Sequence, residues 1–149
     1  VKQAIMELSP RIGGHRIVQN KTSKKTTAFD SSGLYEQIDC TTLDNFFKER
    51  NKIDFLKIVA EGFEFFILEG GKEIIQKNPN IVIFFEFYPY LLNLNNVKPK
   101  TLLEFLTSLG FVLYDMEKIG CTPSTNSELL KYYDGKELHY TKLLCIRNQ

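Results

Sequence analysis

Two apolar runs, Ile53–Ala60 and Ile81–Phe87, bracket a stretch whose apolar residues recur with the period of a helix. The first run carries Phe55, Leu56, Ile58, Val59 and Ala60, interrupted only by Asp54 and Lys57. That composition predicts a central parallel strand covered on both faces. Between the runs, Phe63, Phe66, Ile67, Gly70 and Ile74 fall on one helical face, with Glu64, Glu69, Lys72, Glu73, Gln76 and Lys77 on the other. Asn78-Pro79 ends the helix, and Ile81–Phe87 follows as a second buried strand broken only by Glu86. A strand, a helix and a strand at this spacing have few ways to pack other than a parallel β-α-β unit.

The remainder of the chain extends that unit. Thr42 or Asp44 caps a predicted short helix over Asn45–Arg50, with Leu43, Phe46 and Phe47 on one face. Pro99 suits the first turn of a helix over Lys100–Leu109, which Gly110 ends. Phe111–Met116 is a third strand, and a polar loop over Gly120–Ser127 leads to Glu128–Tyr133. An Asp134-Gly135 turn introduces a last apolar strand around Tyr140–Ile146. Upstream, Val1–Leu8 and His15–Gln19 read as a hairpin or loose β arm, separated by Pro10 and Gly13-Gly14. Asn20–Gly33 reads as an exposed loop, with order returning near Leu34. Gly70 and Gly71 would each weaken a helix interior by about 1 kcal/mol relative to alanine, so they are expected where the helix lies close against the sheet.

The expected class is therefore α/β, in one domain over 1–149, with an N-terminal strand and loop arm over 1–40 and an α/β core over 41–149. A chain of 149 residues can bury a core without disulfides or metals. Formal net charge is +1, so no overall field draws it to nucleic acid or an anionic membrane, and neither partner is expected. No apolar run is long enough to span a bilayer, and the chain opens on Val1 with no basic-then-apolar stretch, so no signal peptide is expected in it. Cys40, Cys121 and Cys145 are odd in number and widely spaced, which predicts reduced thiols, a cytoplasmic setting and no metal site. Lys21, Lys24 and Lys25 read as a solvated loop, Asn20-Lys21-Thr22 is a glycosylation sequon with no other sign of secretion, and His15 and His139 receive no role.

Ligands of open α/β sheets bind beyond the carboxyl ends of the strands. Glu61 lies at that end of the first run, Glu64 in the first turn of the helix after it, and Glu86 near the end of the second run. Glu64 alone is explained equally well by the helix dipole, worth about 0.3–1 kcal/mol. Glu61 and Glu86 lie among Phe, Ile and Val, where a carboxylate must be paired, hydrogen-bonded or solvated by a cleft. Tyr88 and Tyr90 are the aromatics expected to reach the mouth of that cleft.

The segments TTLDNFFKER (41–50), IDFLKIVAEGFEFFILEGGKEII (53–75), IVIFFEFYP (81–89) and LLEFLTSLGFVLYDME (102–117) together resemble the S-adenosylmethionine-dependent methyltransferases of the FkbM type. VKQAIME resembles the strand before that family's Thr-Leu-Asp segment. The resemblance implies a partial Rossmann-like methyltransferase sheet, mostly parallel with an antiparallel last strand and helices on both faces. It implies an enzyme that uses S-adenosylmethionine to methylate a hydroxyl of a small molecule or sugar, with Glu61 and Glu86 as catalytic residues and Glu64 and Tyr88 on the substrate side. Val59 and Ala60 stand where the family has Asp and Val. No Gly-x-Gly follows an apolar strand, so the cofactor-binding residues are unassigned, and the chain is expected to be the carboxyl-terminal part of such an enzyme or a shortened relative. That loss is expected to uncover one side of the 53–60 strand, where a second copy or a partner chain would pair. The alternative is a non-catalytic interaction module that keeps the methyltransferase-like sheet.

Overall fold

The computed structural model describes residues 2–9, 16–18, 34–49, 52–120 and 122–147. Near the N-terminus, β1 (Lys2–Leu8) pairs antiparallel with both β2 (Arg16–Val18) and β3 (Leu34–Cys40), giving a three-stranded sheet in the order β2-β1-β3. The expected hairpin arm is present as this sheet. Pro10, the Gly13-Gly14 pair, His15, the basic cluster, the sequon and Cys121 lie outside the described residues.

A short helix, α1 (Leu43–Phe46), begins where Thr42 Oγ1 accepts from the Asn45 amide. It starts two residues before the expected Asn45 and ends sooner than Arg50. Asp44 has a different role. Its carboxylate accepts from the Glu73 and Ile74 amides, at 3.2 and 2.8 Å, and so closes the N-terminus of a helix thirty residues on.

The second sheet has five strands in the order β4-β5-β8-β6-β7, comprising β4 (Phe55–Ile58), β5 (Val82–Phe87), β6 (Phe111–Asp115), β7 (Pro123–Ser124) and β8 (Thr141–Arg147). β4 and β5 are parallel, as expected. The remaining pairings, β5 with β8, β8 with β6 and β6 with β7, are antiparallel. Hence β4, β5 and β6 run one way, while β8, the expected antiparallel last strand, lies between β5 and β6. "Mostly parallel" describes the strand directions, and only one of the neighbouring pairs.

The helices are α2 (Glu64–Glu69), α3 (Lys72–Lys77), α4 (Pro89–Leu94), α5 (Pro99–Ser108) and α6 (Asn126–Tyr132). The helix expected over 63–77 is broken in two at Gly70-Gly71. A Cβ on Gly71 would lie 2.9 Å from Leu43 Cδ1, and one on Gly70 3.3 Å from Thr42 Cγ2, so the glycines admit α1 and not, as expected, the sheet. α4 was not foreseen, because Pro89 reads as a strand stop when it is also a good first helical residue.

One sheet face is dry. Ile83, Phe85, Phe87, Leu113, Leu143 and Cys145 are buried there with Leu68, Ile75, Leu92, Leu102, Leu103, Leu106 and Leu129 from the helices. On the other face Val82, Phe84, Val112, Tyr114 and Leu144 are only half-buried, and Lys142 and Ile146 are exposed. Both crossovers, β4 to β5 and β5 to β6, advance in one direction across the sheet, so right-handed connections put their helices on the same side. This replaces the expectation of helices on both faces. β4 is the edge strand of the described residues, with Phe55 and Val59 56% and 57% exposed, so the central position expected for 53–60 is corrected while the uncovered side expected of that strand is found.

Two polar arrangements tie the sheet to its helices. Arg147 at the end of β8 donates to the carbonyls of Leu109, Ile75, Asn78 and Pro79 while its guanidinium lies 4.3 Å from the centre of the Phe111 ring. It thus adds a side-chain donor to the carbonyls where α3 and α5 end. Asp115 at the end of β6 accepts from Tyr133 Oη at 2.9 Å, Thr141 Oγ1 at 2.5 Å and the Glu117 amide at 3.1 Å.

Candidate functional site

β4 ends in an unusual turn. Glu61 has φ 50°, in the left-handed region that non-glycine residues rarely adopt, and Gly62 follows at φ 91°. A Cβ on Gly62 would lie 2.6 Å from both the Leu91 carbonyl oxygen and Asn95 Nδ2, so only glycine lets the turn pack against α4. A strained turn held by packing is a recurring property of functional positions.

Glu64 opens α2 and reaches back, its Oε1 accepting from the Ala60 amide at 2.9 Å. The residue is 1% exposed, and its Oε2 is buried without a hydrogen-bond partner. Such an oxygen is costly to bury as an anion. Burial is the largest cause of the rise in the Glu64 pKa, opposed by nearby backbone amides and reinforced by Glu86.

Glu86 sits on the half-buried face of β5 directly opposite Lys142 of β8. Burial raises its pKa, and the Lys142 ammonium pulls the other way. Glu61 feels the whole group. Burial first, then the charges of Glu86 and Glu64, push its carboxyl up to about 7. The structure therefore brings together the three carboxylates that stood at separate points of the sequence, at the common carboxyl end of β4 and β5.

Tyr88 does not reach a cleft mouth as expected. It is 6% exposed, and its hydroxyl accepts from the Leu138 amide at 2.8 Å, which fixes the loop before β8. Its ring lies 6.1 Å from Tyr90 and 5.0 Å from Tyr140, and these two keep exposed surface. Beyond the Glu86 and Lys142 rung, strand alternation places Tyr88 and Tyr140 on the same face. Sequence reasoning passed over Lys142 and Tyr140; their signal was a lone charge and an aromatic two residues apart in an apolar strand.

His139, next to Leu138 in the same loop, has Nδ1 3.0 Å from Asp134 Oδ1 and its ring near Tyr132 and Tyr133. Among the described residues no group of three or more His, Cys, Asp or Glu is placed to hold a metal ion, and no helix is long and apolar enough to cross a membrane.

A five-stranded mixed sheet with helices packed against it defines an α/β domain. Residues 6–113 match the methyltransferase FkbM domain, and the chain belongs to that family. The match begins in β1 and ends inside β6, so it covers the whole carboxylate cluster. No curated protein and no solved structure matches the chain.

Proposed function

We propose that this chain carries the acceptor side of an O-methyl transfer to a hydroxyl of a small molecule or sugar, with Glu61 as general base and Glu86 as the carboxylate that tunes it. The single observation behind this reading is the left-handed Glu61–Gly62 turn at the end of β4, which holds a half-buried carboxyl where burial and the charges of Glu86 and Glu64 push it up to about 7. A base works best when its pKa lies near the working pH, and such tuning typically contributes about 10²–10⁴ in rate. Glu61 takes the hydroxyl proton. Glu64 holds the strand end through Ala60, and Tyr88 holds the neighbouring loop through Leu138, so both position the acceptor side without offering it an exposed group.

Membership of the family suggests S-adenosylmethionine as the methyl donor. The turn after β4, Ala60–Phe63, does not fit it: the open side of Gly62 is filled by Leu91 and Asn95, which leaves no cradle there for a ligand to approach the backbone. The chemistry assigned here is therefore confined to the acceptor and its proton. We read the five-stranded sheet as part of a Rossmann-like sheet, the whole chain as one functional unit, and its setting as cytoplasmic, in keeping with free thiols at Cys40 and Cys145.

Among the described residues no strand pairs with the outer edge of β4, and Phe55 and Val59 are exposed, which favours a second reading as a non-catalytic module that pairs through that edge with a second copy or another chain. Calorimetry with S-adenosylmethionine and S-adenosylhomocysteine separates the two. Saturable binding and a transfer rate that Glu61→Gln lowers by about 10²–10⁴ support the enzyme; no binding at millimolar ligand, with a dimer by light scattering, supports the module.

A further inference from the structure

The backbone groups of β4 divide between two sides in a fixed order. The Val82 amide donates to the Asp54 carbonyl, and β4 runs parallel to β5 with Phe55 beside Val82, so the amides and carbonyls of Asp54, Leu56 and Ile58 turn toward β5. Those of Phe55, Lys57 and Val59 turn outward, and among the described residues no strand takes them up. Natural sheet edges are usually closed by prolines, bulges or charges. Phe55–Ile58 has a single lysine for that purpose. Side chains alternate in step with the backbone. Leu56 and Ile58 pack toward the core, while Phe55 and Lys57 lie on the bare face beside Val82 and Phe84 and are exposed.

A strand ordered in this way fits a second copy of itself. Directly opposite residues of an antiparallel pair share a face, so registers that match odd-numbered with odd-numbered residues keep the pleat. Centred on Leu56, the pairing sets Phe55 of each copy against Lys57 of the other. Both are outward-facing positions, so the two strands exchange roughly four backbone hydrogen bonds. Each ammonium comes within reach of the other copy's phenyl ring, so the one charge on the edge meets an aromatic face and not a like charge. The registers on either side are poorer. Centring on Lys57 puts two lysines directly opposite. Centring on Phe55 calls on the Ile53 amide, which already donates to Asn78 Oδ1 at 3.0 Å.

We propose that a second copy of this chain pairs antiparallel along β4, with Leu56 on the two-fold axis and Phe55 of each copy against Lys57 of the other. This rests on the reading of β4 as a pairing edge and names its occupant and register. The two sheets join into one continuous sheet whose bare faces lie on the same side. The strand contact is short, so the dimer forms and parts with concentration.

Sedimentation velocity on the full chain, from about 5 to about 500 µM, is expected to show a monomer and dimer in exchange with a Kd on the order of 10–100 µM. Across the same range the Phe55 and Lys57 amides are expected to gain protection from hydrogen exchange, while the Leu56 amide is protected throughout. Phe55→Lys sets like charges opposite and is expected to weaken the dimer by about tenfold or more. Phe55→Glu offers Lys57 of the second copy an acid and is expected to leave the Kd within about threefold of the parent. Both variants replace the same exposed ring, so a shared loss of folding cannot produce the difference between them. A monomer at about 500 µM, a dimer whose Phe55 and Lys57 amides stay unprotected, or equal Kd values for the two variants would each overturn the inference. Titrating the same samples with S-adenosylmethionine keeps the two proposals apart. A dimer that binds it retains this contact and removes the non-catalytic reading, whereas a monomer that does not bind it removes this contact and leaves that reading with another chain as partner.

Discussion

Asp115 and Glu64 are buried carboxylates at the same end of the sheet, 3% and 1% exposed, and they are treated in opposite ways. Asp115 is surrounded by donors from three elements, the hydroxyls of Tyr133 and Thr141 and the amide of Glu117. Glu64 has one amide on one oxygen, none on the other, and two more acids as company. A carboxylate with donors on both oxygens is part of the scaffold. One left under-occupied raises the pKa values around it and leaves free energy available to a ligand or a proton.

The contrast predicts effects of different size and sign. Asp115→Ala strips two buried hydroxyls of their acceptor and should cost about 2–4 kcal/mol of stability, read by urea unfolding. Tyr133→Phe removes one donor and should cost about 1–2 kcal/mol; burial holds the Tyr133 hydroxyl's pKa up to about 12, so the loss should be flat across neutral pH. Glu64→Gln keeps an acceptor for the Ala60 amide while removing the unpaired charge, so at pH 8 stability should change by less than about 1 kcal/mol, or rise. A loss as large as that of Asp115→Ala would break the comparison.

The smallest effect is in pH dependence. Glu61 has a raised folded pKa, so between its ordinary value of 4.5 and about 7 the folded state binds more protons than the unfolded one. Stability therefore falls as pH rises through that window, and Glu61→Gln should flatten the slope there. A wild-type midpoint that instead climbs from pH 5 to pH 7 would show Glu61 stabilised as an anion.

Much of this was legible because local patterns decided it. The apolar runs gave β4 and β5, Pro99 and Gly110 bracketed α5, and charges inside apolar runs marked Glu61 and Glu86. What was not legible depends on distance. The apolar rhythm runs unbroken through Gly70-Gly71, and only contact with Leu43 shows why the helix divides. Nothing local in Phe111–Asp115 says that Tyr133 and Thr141 will meet Asp115. Tyr88 was given a cleft mouth because alternation fixes which face a side chain takes, while its depth depends on Leu138, fifty residues on. The residues of β4 alone read as central, because an uncovered edge can carry the same residues as a buried one; its uncovered side was legible only from the resemblance and what it lacked.

The position of β8 bears on how the protein comes off the ribosome. Strands β5 and β6 have no direct pairing; each waits for the segment from Thr141 to Arg147, which is synthesised after both. Until that segment arrives, Ile83, Phe85 and Leu113 lack the neighbours Cys145 and Leu143 supply, and the nascent chain carries an open seam through its middle. Closure of the seam is thus the step at which a chaperone would have most to protect.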